Sequence, residues 1–295
     1  MMEFLNLLGL LLLSAIRTST PLILAAAGGS VCARSGVMAM GMEGFMLVAS
    51  FGAAWGAYTF QNAWLGLLVG ILFGVFYSLL YAVLCVTFSM NQVICGIGMN
   101  MFALGFTTSM TQIVWGTRAY SDTVPTLDHI QLPLVGDISM MVPLAILLAV
   151  LLWGYLFKTP QGLHMRIVGE NPLAARTIGI NTKKFKYLGV LICGLLCSLA
   201  GSFLSIDHVN RFVMDMTAGR GYIAVSVNIL GRFNPLGAIA GGLLFGVADS
   251  LQNVVTSSSV PGQLLSMVPY VVTLLVISFA VRYVSSPAGM GKSDD

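Results

Sequence analysis

The 295-residue chain carries 14 Lys and Arg against 11 Asp and Glu, a formal net charge of +3, and only 8% of its residues are charged while 57% are hydrophobic. A water-soluble fold of this length could not cover its surface with so few charges, whereas a lipid-embedded one has no need to. The chain reads as all-α, a polytopic helical membrane protein in which each span satisfies its own backbone polar groups.

The first apolar stretch runs from about Phe4 to Cys32 and is interrupted by Arg17 and Pro21. It is either one long kinked helix or a short interfacial helix followed by a span. Arg17 either snorkels or faces protein. Glu3 stands where a cleavable leader would carry basic residues, so no such leader is expected. A Gly- and Met-rich break over 34–44 leads to a second span, opened by Glu43 and ending near Tyr58. A third runs from about Ala63 to Ser89 and a fourth from Asn91 to Trp115. Residues 44–117 contain no Asp, Glu, Lys or Arg. A polar loop, 116–139, follows with Pro125, Pro133, Arg118 and the acids Asp122, Asp128 and Asp137.

A fifth span, 140–157, delivers the chain to a basic island, 158–186. The island holds Lys158, Arg166, Arg176, Lys183, Lys184 and Lys186 against the single acid Glu170. This excess puts the island on the cytosolic side and the acidic loop outside, and it reports orientation, not affinity for nucleic acid. Within the island Asn171 can cap a helix and Pro172 suits its first position. Gly179 can end it in a left-handed turn. That leaves about two turns, Pro172 to Ile178, with Leu173, Ala174, Thr177 and Ile178 available to one face. Such a piece is either a docking helix for a cytosolic protein or a surface helix that closes the loop.

A sixth span runs from Tyr187 to about Ile206, followed by a polar segment with Asp207, His208, Asn210, Arg211 and Asp215. The apolar piece 221–230 is too short to cross as a straight helix, so it is half a crossing or a re-entrant element. Two last spans cover about Leu236 to Val255 and Leu264 to Tyr283, before a polar tail. Nine crossings are expected, with eight or ten as the alternatives, in a single transmembrane domain covering 1–295.

The chain also resembles itself. Leu65, Gly66, Gly70, Leu72, Phe73 and Gly74 match Leu236, Gly237, Gly241, Leu244, Phe245 and Gly246 with one inserted residue. Upstream, EGFMLVA from Glu43 aligns with RGYIAVS from Arg220. The copies would be spans 1–4 (about 4–115) and spans 6–9 (about 187–284), joined by the fifth. An odd number of spans between them turns one copy over relative to the other, and inverted repeats build many transport folds. Gly-rich packing faces also look alike without any repeat.

No catalytic set stands out. His129, His164 and His208 are scattered, and no zinc spacing is present. The tail sequence GMGKS ends like a phosphate loop but lacks its first glycine, strand and helix. Cys32, Cys85, Cys95, Cys193 and Cys197 lie in apolar stretches and read as reduced and packed. No metal, cofactor or enzymatic activity is expected. Polar residues within spans are the stronger lead, because each is costly unless satisfied. They are Glu43, Asn91, Gln92, Asn100, Gln112, Arg220, Asn228, Asp249, Gln252 and Asn253. Amides suit a neutral, hydroxyl-rich solute better than an ion, although they also bridge helices within bundles. Glu43 and Arg220 fall at matching repeat positions with opposite charge. They either pair across the repeat interface or sit at opposite helix ends as caps.

Four blocks, in order, carry a family likeness. SGVMAMGMEGFMLVASFGA, NQVICGIGMN, GLHMRIVGENPLAARTIGI and AGRGYIAVSVNILGRFNPLGAIAGGLLFGVADSLQ resemble segments of ATP-binding-cassette (ABC) importer permeases of the ribose, branched-chain amino acid and nucleoside group. The nearest likeness is to nucleoside or simple-sugar permeases served by basic-membrane-protein-type binding lipoproteins. In the second block Gln92 stands where Glu is usual. The resemblance implies a plasma- or inner-membrane subunit with no ATP site of its own. A separate ATPase would dock on the cytosolic loop near Gly169, Glu170, Asn171, Pro172, Ala175 and Arg176. A second homologous permease, or a second copy, would complete the pore, and an extracellular lipoprotein would deliver solute. The pathway candidates are Glu43, Asn91, Gln92, Asn100, Arg220, Asn228, Asp249 and Asn253. The C-terminus would be cytosolic and loop 116–139 extracellular or periplasmic. A stand-alone secondary transporter is the alternative, and it would need a coupling-ion site.

Overall fold

The computed structural model describes residues 2–132, 136–254, 267, 271–272, 274–275, 278 and 286–291. Among them the chain forms α1 (Met2–Arg34), α2 (Met42–Phe60), α3 (Ala63–Ala82), α4 (Gln92–Trp115) and α5 (Met141–Lys158). There follow α6 (Pro160–Glu170), α7 (Pro172–Thr177), α8 (Thr182–Ser202), α9 (Arg220–Leu230) and α10 (Pro235–Val254). Wider π-helical turns prolong α3 over Val83–Thr87 and α8 over Phe203–His208. Among the described residues four segments are long and apolar enough to cross a membrane: Ala63–Thr87, Gln92–Trp115, Met141–Lys158 and Thr182–His208. This is a multi-pass helical membrane protein. The expected last span, Leu264 to Tyr283, lies largely outside the described residues.

The first apolar stretch is one continuous helix, with Pro21 inside it. Proline removes one helical N–H and so frees a carbonyl, and in lipid such groups need local partners. Hydroxyls cluster around the site: Thr20 donates to the Ile16 carbonyl, and Thr18 lies within hydrogen-bond reach of Ser14 and of Gly246 on α10.

Two elements depart from the sequence reading. The loop 116–139 contains an antiparallel hairpin, β1 (His129–Leu132) and β2 (Gly136–Ser139), a small exception to the all-α architecture. A short polar stretch with two prolines gave no strand signal. The basic island contains a second helix, α6, started by Pro160 with the Thr159 hydroxyl accepting from Gly162 N. Its Met165 and Val168 are buried, and Met165 packs with Val31 of α1 and Leu156 of α5.

The helices meet through small residues. Lipid offers no hydrophobic gain for helix association, so close backbone approach must supply the packing. Gly66, Gly70 and Gly74, spaced four apart, form a stripe on α3 that rests on Ala57, Ala53 and Ala49 of α2 and on Ser202 and Ser198 of α8. The opposite side of α3 leaves Leu65, Leu68, Leu72 and Phe76 exposed, as a lipid-facing surface requires. Gly201 of α8 presses against the Met46 carbonyl, where a side chain has no room.

That geometry gives a matched test. Gly201→Ala should lower the thermal stability of the detergent-purified protein, by roughly 1–3 kcal/mol for an overpacked site. Gly105→Ala, on α4 with no atom near its added methyl, should leave stability unchanged or slightly raised.

Candidate functional site

The interior of the bundle is crossed by a broken path. After α1 the chain runs unwound over 35–41, and α2 begins inside the protein with Met42 and Glu43 both buried. From the other side a non-helical segment after α8 leads to α9, whose 11 residues rise about 16 Å, roughly half of a ~30 Å hydrocarbon core. The two helices meet N-terminus to N-terminus. A methyl group on Gly221 would fall 2.5 Å from the Glu43 nitrogen and 2.6 Å from its Cα.

Each helix start carries unpaired N–H groups and the positive end of its dipole, so the encounter is unfavourable unless an anion intervenes. Glu43 is that anion. Its Oε1 accepts from Gly219 N at 2.9 Å and its Oε2 from Gly221 N at 2.6 Å. Gly219 sits in the left-handed region (φ +79°) at the cap position and brings no side chain of its own. Glu43, only 7% exposed, therefore caps α9 while belonging to the first turn of α2.

The unwound segment is satisfied from α3 and α4. Asn100 Oδ1 accepts from Gly44 N at 2.9 Å, and its Nδ2 donates to the Met40 carbonyl (2.9 Å) and to Tyr222 Oη (2.8 Å). Gln92 Oε1 accepts from Met38 N at 2.6 Å. That role needs only an acceptor oxygen, so an amide serves as well as a carboxylate would. The Tyr81 hydroxyl lies 2.6 Å from the Met38 carbonyl and 3.0 Å from that of Gln92. Beneath the break lies a cavity of about 190 Å³ lined by Met38, Met40, Met42, Asn228, Phe233 and Met290, among others.

The remaining pathway candidates fall in three places. Asn228 is buried and accepts from the Ser30 hydroxyl at 2.9 Å. Asn91 caps α4, accepting from Val93 N and Ile94 N, at an exposed end. Arg220 does not pair with Glu43; it reaches Asp249 on α10 at 3.3 Å and the Met216 carbonyl at 3.3 Å. The cap alternative thus holds for Glu43, which caps the other helix, and the pairing alternative holds for neither residue as framed. Asn253 belongs to the last turn of α10, and its side chain lies outside the described residues. Sequence reasoning missed Tyr81, Tyr222 and Ser30, which bond these groups across 11 to 198 positions of chain.

In the basic loop, Asn171 Oδ1 accepts from Ala174 N at 3.0 Å, and Gly179 adopts φ +80° just beyond α7. Ala175 is buried, whereas Leu173 and Ile178 are 65% and 64% exposed. Pro172 occupies the first helical position and Arg176 the last turn. Gly169 packs on the Arg34 backbone, and Glu170 lies 3.6 Å from the Arg34 guanidinium and accepts from Ala288 N at 3.2 Å. Gly169, Glu170 and Ala175 thus fasten the loop to the bundle, and Leu173 and Ile178 project from it.

A multi-pass bundle built around discontinuous helices, with polar side chains gathered at the discontinuity, is the architecture of a membrane transporter. The family described as "Branched-chain amino acid transport system / permease component" matches residues 11–277, and the chain belongs to it. It is accordingly the permease subunit of an ABC transporter, which works with a separate ATPase and does not itself hydrolyse ATP. This displaces the stand-alone secondary transporter. The chain is 32% identical to the guanosine ABC transporter permease protein NupQ of Bacillus subtilis, across 98% of both chains. It is 31% identical to the nucleoside ABC transporter permease protein NupC of Lactococcus lactis subsp. cremoris, again across 98% of both. Among solved structures it is similar in fold to PsaBC from Streptococcus pneumoniae in complex with Fab, with a TM-score of 0.53, 12% identity and coverage of 90% of this chain and 89% of that one.

Two stability experiments test the site. Glu43→Ala strands the N–H groups of Gly219 and Gly221 and should cost about 1–3 kcal/mol for each, while Glu43→Gln keeps an acceptor and should cost less. Thermal unfolding of the purified variants reads the order. Arg220→Met alone leaves Asp249 unpaired within the protein, so it should destabilise more than Arg220→Met with Asp249→Leu.

Proposed function

We propose that this chain is the membrane permease of an ABC importer for a nucleoside, with a simple sugar as the second candidate, working by alternating access. The observation that carries the mechanism is the head-on meeting of α2 and α9 at Glu43. A half-helix, α9, and a longer helix, α2, joined through one side chain can tilt against each other, opening one side of the membrane and then the other. The names of the relatives in B. subtilis and L. lactis favour the nucleoside over the sugar.

The arrangement of helices supports an inverted repeat within a single 1–295 domain. Exchange α1 with α8, α2 with α9 and α3 with α10, and the packing maps onto itself: α3 lies on α2 and α8, and α10 lies on α9 and α1. The matched pair Gly74 and Gly246 serves those same contacts, Gly74 against Ser198 of α8 and Gly246 against Ser19 of α1. On this reading there are nine crossings, 4–115 and 187–284 are the two copies, and 140–157 is the linker. The basic excess of 158–186 orients that loop and the C-terminus to the cytosol and 116–139 to the exterior.

Glu43, Gln92 and Asn100 serve the pathway by shaping the break, Asn228 by lining the cavity below it. Arg220, Asp249, Asn91 and Asn253 border the same route. The ATPase engages the loop around Gly169, Glu170, Asn171, Pro172, Ala175 and Arg176. A second permease or a second copy completes the channel, and an extracellular binding lipoprotein presents solute. Selectivity then resides in that partner, and weak polar contacts in the permease favour release.

Docking is tested on the exposed face of α7. Leu173→Glu with Ile178→Glu should reduce co-purification of the ATPase by roughly tenfold or more, on the scale of losing two interface anchors. Membrane insertion should be unchanged, because neither side chain is buried. Native ATPase yield with this pair would contradict docking through α7.

A further inference from the structure

Arg34, the last residue of α1, joins three parts of the inner side through one guanidinium. Its Nη1 lies 3.6 Å from Glu170 Oε1 in the basic loop. Its Nε donates to the Phe233 carbonyl at 3.0 Å and its Nη2 to the Arg232 carbonyl at 3.2 Å. Arg232 and Phe233 form the turn between α9 and α10, and both hold left-handed backbone, φ +54° and +52°. Consecutive non-glycine residues in that region are strained and persist only where the surroundings hold them. Arg34 holds the carbonyls of these two residues. The far end of α9 is the end that Glu43 caps.

We propose that Arg34 is the positioning residue that passes movement of loop 158–186 to the inner half-helix α9. This rests on the functional reading above, in which an ATPase displaces that loop. When Glu170 shifts, the guanidinium shifts with it, and the carbonyls of Arg232 and Phe233 lose or regain their donors. The turn is poised to respond because its backbone is already strained. A rigid 11-residue helix then carries the change to Glu43 and the break. The planar fork of arginine can serve a carboxylate and two carbonyls at once in fixed directions, whereas the point charge of lysine cannot.

The test uses the complete transporter: permease, partner permease, ATPase and binding protein in proteoliposomes. Tritiated guanosine uptake and ATP hydrolysis are measured on the same samples. Arg34→Gln should assemble at native yield and keep ATP hydrolysis within about threefold, yet lower uptake by roughly tenfold, within the range seen for residues that carry coupling. Per assembled complex, with ATPase yield measured separately, adding Glu170→Gln to Arg34→Gln should lower uptake by less than Glu170→Gln lowers it alone, since both act through one contact. Arg34→Lys should also raise the ATP spent per solute imported. Uptake and hydrolysis falling together in step with complex yield would overturn the proposal, as would additive losses in the double variant. Failure of both Arg34→Gln and Arg34→Lys to assemble would assign Arg34 a purely structural role and overturn it too. Native uptake that ignores ATP would contradict the functional reading and this inference with it. ATP-driven native uptake with an unaltered Arg34→Gln variant would contradict this inference alone.

Discussion

Two helix starts face each other inside an apolar bundle, and one carboxylate sits between them. In lipid no water is at hand to relieve the unpaired N–H groups or to screen the two dipoles, so a buried anion there is favourable where elsewhere it would be costly. Glu43 benefits from the dipole of its own helix and accepts two hydrogen bonds from the opposing one. The neighbouring glycines follow from this. Gly221 lets the backbone of α9 reach that of Glu43, and Gly219 takes the left-handed turn that aims its N–H at the carboxylate. Asn100, Gln92 and Tyr81 follow too, because a chain unwound over 35–41 must find partners for its own amides and carbonyls.

Around this break the packing relies on small residues, with a glycine stripe on α3 facing serines and alanines and Gly246 of α10 facing Ala15 and Ser19. Such interfaces hold helices at close range without interlocking long side chains. On the proposed mechanism the long helices are the rigid parts and the junction is the deformable one. A permease moved by an external motor needs that division of labour, with stiff bodies on each side of a hinge that keeps its hydrogen bonds as it bends.

Much of this was legible from the chain. The length of 221–230 marked α9 as too short to cross as a straight helix, either half a crossing or a re-entrant element, and the helix has 11 residues. Asn171, Pro172 and Gly179 marked both ends of α7 because capping is local chemistry. The intramembrane polar residues were identifiable as costly, but their partners were not. Glu43 reaches across 176 and 178 positions to Gly219 and Gly221, and Asn100 across 122 to Tyr222. No periodicity encodes such pairings. By charge and repeat position Arg220 is one of two readings for Glu43, the other being a helix-end cap; backbone N–H groups satisfy the acid and Asp249 takes the arginine. Helix α6 and the β1–β2 hairpin escaped notice because a charged amphipathic segment and a short polar loop carry weak signals.

The central claim is that the permease is a passive gate, moved only by an energised partner on its basic loop. Its most direct test is solute accumulation in proteoliposomes, with the permease alone and with the complete transporter, under imposed ion gradients and with or without ATP. The account predicts uphill accumulation only when ATPase and ATP are both present, whatever the gradient. Accumulation by the permease alone on an ion gradient would contradict it.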